Sequence, residues 1–255
     1  MKRIAVSSDF HGQCMPKSYV ETVKTCSALL ICGDLFSIRQ ISGQCDLVKQ
    51  IKGFTDNGIR VIYTPGNHDI WLYDKYTEDH QDDMDDDFFG GRICMRFLQG
   101  KPEPEWSVDG LRELCGIEVL IDSETDLDGL RVYGSPWCPH FCEWAFMGSD
   151  EFLKSKFEKI PEGLDILMTH TPPRVENLRL DVVRDSYLWE EPKIVHCGSS
   201  VLTEYIRLRK PRYSFSGHIH TGSHELVKIE DTQCANVSLL DEDYKVRFKP
   251  RIIEL

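Results

Sequence analysis

The chain has 255 residues, of which 41% are hydrophobic and 28% are charged, so it holds enough apolar side chains for a sizeable core. Its formal charge of −12 argues against a protein that binds nucleic acid through a broad basic face or is drawn to anionic membranes. Its apolar runs are all shorter than the roughly 18 residues of a membrane-spanning helix, and its first residues lack the apolar core of a signal peptide.

The first 64 residues alternate predicted strands and helices. Apolar runs at 3–8, 27–32 and 59–64 predict short buried strands, each followed by a polar or glycine-containing turn. The segments between them, 16–26 and 43–55, predict helices. This order is typical of a layered α/β fold with right-handed crossovers.

The α/β pattern continues after an acidic interruption. Residues 71–100 predict an irregular or helical insertion, and within it residues 74–87 hold eight acids and one lysine. Residues 117–121 and 130–134 flank an Asp-Leu-Asp-Gly turn and predict a β-hairpin. The remaining predicted elements are helices at 149–159 and 198–209 and strands at 164–169, 213–216, 224–229, 233–239 and 244–249. Because no linker rich in Ser, Gly or Pro divides the chain, we predict one domain over residues 1–255.

Five short polar clusters follow predicted strands. They are Asp9-Phe10-His11, Gly33-Asp34, Gly66-Asn67-His68-Asp69, Thr169-His170-Thr171-Pro172-Pro173 and Gly217-His218-Ile219-His220. Ligands of α/β sheets bind at the carboxyl ends of strands, so these loops are expected to converge on one crevice. Carboxylate, imidazole and amide oxygen together suit divalent manganese, iron, zinc or nickel. The set contains no thiolate, which argues against a structural zinc site.

The spacing of these residues suits two metal ions. Asp9 and His11 project the same way from an extended segment and can reach one ion. The two oxygens of Asp34 can bridge two ions roughly 3.5–4 Å apart. Two ions so placed can bind a phosphate ester, and they lower the pKa of a bridging water from about 15.7 toward 7. His68, beside Asn67, is the best placed side chain to give a proton to the leaving oxygen. These residues predict hydrolysis of a phosphoester by metal-activated hydroxide.

The series DxH, GD, GNHD, H and GHxH, in this order between residues 9 and 220, resembles the calcineurin-like metallophosphoesterases. Gly134-Ser135-Pro136-Trp137, the 169–173 cluster and Gly217–Gly222 are similar to the MPPED-type branch, which resembles class III cyclic-nucleotide phosphodiesterases. The resemblance implies an α/β fold in which two mixed β-sheets pack as a sandwich flanked by helices, in four layers.

The resemblance also implies a role for each matching residue. The first ion would be held by Asp9, His11 and His220. The second would be held by Asn67, His170 and His218, and Asp34 would bridge the two ions. His68 would be the catalytic histidine that does not bind metal. Manganese is the expected ion, with iron, zinc, nickel or magnesium as alternatives.

The sequence departs from the protein Ser/Thr phosphatases of this family after Gly33-Asp34. It continues as Leu35-Phe36-Ser37, so the second Asp that orients the catalytic histidine in those enzymes, and the Arg-Gly that follows it, are absent. This counts against a protein phosphatase, and the similarity to the MPPED-type branch implies a small, nucleotide-like phosphodiester as the substrate. A nucleotide or protein phosphomonoesterase is the alternative. A non-catalytic partner-binding scaffold is a weaker one, because none of the expected ligands is missing.

Two residues are candidate substrate contacts. Arg174 follows the His-Thr-Pro-Pro segment and could pair with a phosphate, or could be an ordinary surface arginine. Trp137, with Phe141, could form an aromatic wall for a base, or could pack in the core.

The expected partners and setting follow from charge and cysteine usage. We expect a small phosphorylated substrate, no nucleic acid and no membrane, and the acidic run at 74–87 is a candidate docking site for a protein. Ten cysteines without a CxxC pair predict free thiols in the reducing cytoplasm.

Overall fold

The computed structural model describes residues 2–36, 41–79, 107–142, 144–185 and 193–255. The helices in these ranges are Lys17–Val23 (α1), Ile41–Thr55 (α2), Ile70–Asp79 (α3), Val108–Cys115 (α4), Asp150–Phe157 (α5) and Ser200–Arg209 (α6). The strands are Arg3–Ser7 (β1), Ala28–Cys32 (β2), Arg60–Thr64 (β3), Ile117–Val119 (β4), Ser123–Leu127 (β5), Leu130–Ser135 (β6), Cys138–Pro139 (β7), Met147–Gly148 (β8), Ile166–Thr169 (β9), Val182–Asp185 (β10), Lys193–His196 (β11), Tyr213–Ser216 (β12), Val227–Ile229 (β13), Thr232–Asn236 (β14) and Arg251–Glu254 (β15).

The strands form two large mixed sheets. The first has the order β15-β1-β2-β3-β4, with β1 to β4 parallel and β15 antiparallel to β1. The second has the order β13-β14-β12-β9-β6-β5, with a parallel centre and antiparallel strands at both edges. The pairs β7–β8 and β10–β11 form two small additional sheets.

The two large sheets pack face to face. Alternate residues of β1 and β9, such as Ile4 and Val6 against Ile166 and Met168, lie in one buried apolar cluster between the sheets. Because side chains alternate along a strand, the intervening residues, such as Ala5, face outward into the cluster that the helices cover. Each large aliphatic side chain buried in this way contributes about 1.5–3 kcal/mol to the stability of the folded state. The predicted α/β sandwich flanked by helices is confirmed.

Serine caps fix where three of the helices begin. The Oγ atoms of Ser107, Ser149 and Ser199 accept hydrogen bonds from the backbone N–H three residues on, at 3.0, 3.2 and 3.1 Å, and start α4, α5 and α6. A cap of this kind satisfies a backbone donor that the helix cannot pair and contributes about 1 kcal/mol. Helix α4 ends at Gly116, whose φ of 71° is the left-handed conformation that glycine adopts without strain.

Two predicted strand assignments are wrong. The hairpin partner of β6 is β5 at Ser123–Leu127, whereas the predicted partner at 117–121 contributes β4, which pairs in parallel with β3 in the other sheet. The apolar pattern could not distinguish these segments, because both are short and both precede the turn. Residues 244–249 form no strand beyond an isolated bridge between Leu240 and Val246, and the strand that closes the first sheet is β15.

The acidic insertion is described only in part. Its first residues belong to α3, and residues 80–106, which include much of the acidic run at 74–87, lie outside the described residues. The extent of the domain stays a prediction. Among the described helices, none combines the length and apolar character that crossing a bilayer requires.

Candidate metal centre

All five predicted loops meet at one end of the sandwich. Asp9 and His11 follow β1, Asp34 follows β2, and Asn67 follows β3. His170 follows β9 in the second sheet, and His218 and His220 follow β12. Backbone hydrogen bonds join neighbouring loops, from Asp9 N to Gly33 O at 3.0 Å and from Gly217 N to His170 O at 3.0 Å. The site therefore lies where the carboxyl ends of both sheets come together.

The three residues expected to hold the first ion lie together. The potential ligand atoms of Asp9, His11 and His220 are all within 4.8 Å of one another. His220 Nε2 is 3.4 Å from Asp9 Oδ1 and 3.3 Å from His11 Nε2. Asp9 is fully buried and His11 is 6% exposed, so this group opens to solvent mainly along His220.

The residues expected to hold the second ion form an adjacent group. His170 Nε2 lies 2.9 Å from Asn67 Oδ1, and the His170 and His218 rings meet edge to face with their centroids 4.9 Å apart. A residue that the motifs do not include joins them. The sulfur of Cys138 and the ligand atoms of His170 and His218 all lie within 4.8 Å of one another.

Asp34 lies between the two groups. Its Oδ2 is 3.6 Å from His11 Nε2 and 3.3 Å from His170 Nε2. Its Oδ1 accepts a hydrogen bond from the backbone N–H of His68 at 2.8 Å, which fixes the rotation of the carboxylate. One oxygen of Asp34 therefore faces both groups, as a bridging ligand requires.

Backbone carbonyls set the tautomers of two histidines. Nδ1 of His170 lies 2.9 Å from Cys32 O, and Nδ1 of His220 lies 2.9 Å from Asp241 O. A carbonyl can only accept, so each Nδ1 carries the proton and donates it. This leaves Nε2, the nitrogen that faces the carboxylates, as the one that can bind a cation once it has given up any proton of its own.

Several of these residues have strained backbones. Asp9, His11, Asp34 and His218 have φ values of 55°, 45°, 49° and 65°, in the left-handed region that costs residues with a side chain about 1–3 kcal/mol each. Glycines make the close approach of the loops possible. A Cβ on Gly66 would overlap the Asp34 carboxylate and lie 2.7 Å from the His170 ring. The loops are therefore held in a conformation that serves the site rather than local stability.

The pKa values reflect two buried carboxylates among imidazoles. Burial favours the neutral form of Asp34, but the neighbouring His170 outweighs it and holds the pKa of this carboxyl well below its usual range. Burial lowers the pKa of His170, yet Asp34 and Asp9 raise it to about 9. Burial lowers the pKa of both His11 and His218 to about 3, so these rings are neutral at pH 7 and can bind metal.

This donor set fits a pair of divalent cations. Asp9 and Asp34 are two buried carboxylates that need positive charge beside them, and against the effect of burial they raise the pKa of both His170 and His220. Carboxylate, imidazole and amide oxygen donors match first-row divalent ions. The residues that would hold one ion are Asp9, His11 and His220, with Asn67, His170 and His218 at the other and Asp34 between them.

The predicted catalytic residue, His68, lies at the edge of this centre. Its ring lies edge to face with that of His11, with the ring centroids 4.6 Å apart. It stacks on Trp144, with the centroids 4.4 Å apart and an angle of 30° between the ring planes. On the other side of His11, the half-exposed ring of Tyr244 lies 4.8 Å away. Neither Trp144 nor Tyr244 was predicted at the site. Trp144 belongs to the same aromatic segment as Trp137 and Phe141, and both Trp144 and Tyr244 reach the site only through tertiary packing.

The candidate substrate contacts lie differently from expectation. Trp137 is fully buried, donates a 2.7 Å hydrogen bond from Nε1 to Asp122 Oδ2 and packs against Phe146, so the aromatic-wall interpretation is wrong for this residue. Its indole has no free face because it belongs to the core. Phe141 is 63% exposed. Arg174 is exposed, and its backbone hydrogen-bonds with Ser199 and Thr203. Contact of its side chain with phosphate stays a prediction.

Other polar residues position the ligands. Both oxygens of Asp9 accept from the backbone N–H of His218, at 3.1 and 3.0 Å, and Oδ2 accepts from Ser238 Oγ at 2.7 Å. The Asp69 carboxylate accepts from the backbone N–H groups of Phe36 and Gly66, so it ties two loops together. These hydrogen bonds fix the carboxylate of Asp9 and the relative positions of the loops that carry the ligands.

Comparison with known proteins agrees with this geometry. The family model for the calcineurin-like phosphoesterases matches residues 2–222. The human and mouse proteins called Metallophosphoesterase domain-containing protein 1 are each 31% identical over 197 residues, which is 76% of this chain and 54% of theirs. A UPF0046 protein of Caenorhabditis elegans is 24% identical over 233 residues, 89% of this chain and 54% of its own.

The chain spans about half the length of these curated relatives. One solved crystal structure aligns over 92% of this chain and 90% of its own, with a TM-score of 0.54 and 15% identity, a likeness of fold alone. The family match, the branch relatives and the converging motif residues lead to one conclusion: the chain belongs to the calcineurin-like phosphoesterases and to their MPPED-type branch.

Proposed function

We propose that the protein is a phosphoesterase that requires two divalent cations and prefers the phosphodiester bonds of a small, nucleotide-like substrate. The position of Asp34 carries the proposal, because one of its oxygens faces both groups of ligands, at 3.6 Å from His11 and 3.3 Å from His170. Sites with two bridged cations neutralise phosphate oxygens and supply a water nucleophile at neutral pH.

His68 has the position of a proton donor in this proposal. Burial lowers its pKa, so the ring is neutral in the free protein. The negative charge of a bound phosphate favours the protonated ring, which can then pass a proton to the leaving oxygen as the ester bond to phosphorus breaks. Stacking on Trp144 restricts rotation of the ring and keeps it directed toward the site.

The charges around the site support a diester rather than a monoester. A phosphodiester carries one negative charge, whereas a phosphomonoester carries nearly two at pH 7. The ion pairs that Asp9 and Asp34 form with described residues are all with histidines, and none is with lysine or arginine. Beyond the two proposed cations, no lysine or arginine in the described part of the chain pairs with these carboxylates, and this supports a substrate of lower charge.

A paired assay tests the proposal. The protein is stripped with chelator, reloaded with manganese, and given bis-p-nitrophenyl phosphate or p-nitrophenyl phosphate. We expect metal-dependent turnover with the diester preferred, and its loss in Asp34→Asn. The matched control is Asp109→Asn, an exposed aspartate of α4 paired with Arg112, which should behave as wild type. Equal activity in Asp34→Asn would refute the site, and a preference for the monoester would favour the phosphomonoesterase alternative.

The cellular setting is also proposed. Every cysteine whose side chain is described is a free thiol, including the exposed Cys142, and this supports a reducing compartment such as the cytoplasm. A small phosphorylated ligand is the proposed partner. Docking of a protein at the acidic run 74–87 is proposed from charge alone, because much of the run lies outside the described residues.

A further inference from the structure

Cys138 lies at the candidate metal centre although it belongs to no metal-binding motif. It is fully buried at the start of the two-residue strand β7. Its sulfur and the ligand atoms of His170 and His218 lie within 4.8 Å of one another, the same range that joins Asp9, His11 and His220. A buried thiol is thus placed beside two of the ligands expected for the second ion.

The backbone holds Cys138 in this position. Its N–H donates to Phe146 O at 2.8 Å, and β7 pairs with β8, so that Cys138 lies opposite Met147. The thiol donates to Pro136 O at 3.6 Å and also has hydrogen-bond contacts with the side chain and backbone of Thr171. Thiols are weak hydrogen-bonding groups, so these contacts compete only weakly with a cation for the sulfur.

Sulfur changes which cations the site prefers. Thiolate is a soft donor that favours zinc and iron, whereas manganese and magnesium prefer oxygen donors. Thiolate and imidazole are both usual donors to zinc, and sulfur and nitrogen then lie about 2.3 and 2.0–2.1 Å from the ion. A small inward adjustment of the three side chains would meet these distances.

We propose that Cys138 is a further donor to the second cation, and that it makes this half of the centre selective for thiophilic ions such as zinc. The thiol binds as a thiolate and releases its proton to solvent. This inference rests on the proposed function, because it requires a cation between Asn67, His170 and His218. It leaves the first half of the centre, which contains only carboxylate and imidazole donors, without such selectivity.

X-ray absorption at the zinc edge tests this directly. Stripped protein is loaded with two zinc ions per chain and freed of excess metal. We expect a sulfur shell at about 2.3 Å, at one sulfur per two zinc ions, beside nitrogen and oxygen at about 2.0–2.1 Å. The shell should disappear in Cys138→Ser. It should persist in the control Cys142→Ser, which changes an exposed cysteine four positions away.

The outcomes separate this inference from the proposed function. Two zinc ions with nitrogen and oxygen neighbours alone would overturn the role of Cys138 and leave the two-cation site intact. A chain that binds no zinc would overturn both. If Cys138→Ser does not fold, the spectra of wild type and Cys142→Ser still decide. As an independent readout in folded protein, the preference for zinc over manganese should fall at least about tenfold in Cys138→Ser.

Discussion

The hydroxyl of Ser238 donates a 2.7 Å hydrogen bond to Oδ2 of Asp9, 229 positions earlier in the chain. The same hydroxyl lies 2.8 Å from Asn236 Oδ1, and Asn236 Nδ2 donates to the carbonyls of Gly217 and Ile219 at 3.3 and 2.8 Å. The end of β14 thus connects the loop that carries Asp9 with the loop that carries His218 and His220. The geometry of the first cation site depends on residues outside all five motifs.

Replacing Ser238 tests this connection. We expect Ser238→Ala to weaken binding of the first cation by about 10- to 100-fold, because the carboxylate of Asp9 loses the contact that orients it. Calorimetric titration with manganese measures the change. Ser7→Ala is the matched control, since Ser7 Oγ is buried on β1 and finds no hydrogen-bond partner in the described part of the chain. Wild-type affinity in Ser238→Ala would contradict the positioning role.

A second prediction concerns the close approach of the loops at Gly66. We expect Gly66→Ala to abolish cation binding, because its Cβ would overlap the Asp34 carboxylate and press on the ring of His170. Metal content after gel filtration is the measurement. Gly53→Ala is the control: in α2 its Cβ meets nothing within 4 Å, and it should bind metal normally and gain about 0.5–1 kcal/mol of stability. Full metal content in Gly66→Ala would show that the loops are not so tightly constrained.

The two tryptophans of the 137–146 segment should respond differently. Trp144→Ala should reduce kcat by about tenfold or more with metal content unchanged, because His68 loses the ring that orients it. Trp137→Phe should leave kcat per folded molecule unchanged. It should lower the free energy of unfolding by about 1–3 kcal/mol, because Asp122 loses a buried hydrogen-bond donor. Paired kinetics and urea unfolding distinguish the two effects. A reversed pattern would return Trp137 to the substrate site.

Removal of metal should destabilise the protein. The buried carboxylates of Asp9 and Asp34 repel each other in the folded protein. Cations that bind between them stabilise the folded state, because the unfolded chain does not form the site. Manganese at 100 times its Kd should add about 2.7 kcal/mol per site, which raises Tm by about 2–4 °C per kcal/mol in a chain of this size. Thermal melts with chelator and with manganese measure the difference. Asp34→Asn should reduce the metal-dependent shift, and an equal shift in that variant would place the ions elsewhere.

Local patterns predicted much of the fold. The strands near 3–8, 27–32, 59–64, 164–169 and 213–216 lie within two residues of their observed bounds, because each is an apolar run that ends at a polar turn. The hairpin failed where β4 and β5 follow one another closely, since the choice of sheet depends on partners far along the chain. The strand β15 was missed because its pairing partner, β1, is at the opposite end of the chain.

The site, like the fold, was predicted where local sequence patterns decide and missed where distant contacts decide. The motif residues converge as the order of the strands predicts, since parallel strands deliver their following loops to one edge. Cys138, Trp144 and Ser238 could not be predicted as members of the site, because β7, the segment before β8 and the loop after β14 reach it only through tertiary packing. Trp137 was assigned to the site from its aromatic neighbours, whereas burial decides its role.

Anomalous diffraction from crystals grown with manganese tests the central claim most directly. We predict two anomalous peaks roughly 3.5–4 Å apart with Asp34 between them. One peak should be contacted by Asp9, His11 and His220, and the other by Asn67, His170 and His218. A single peak without Asp34 among its contacts, or peaks only outside these residues, would contradict the two-cation site on which the proposed function depends.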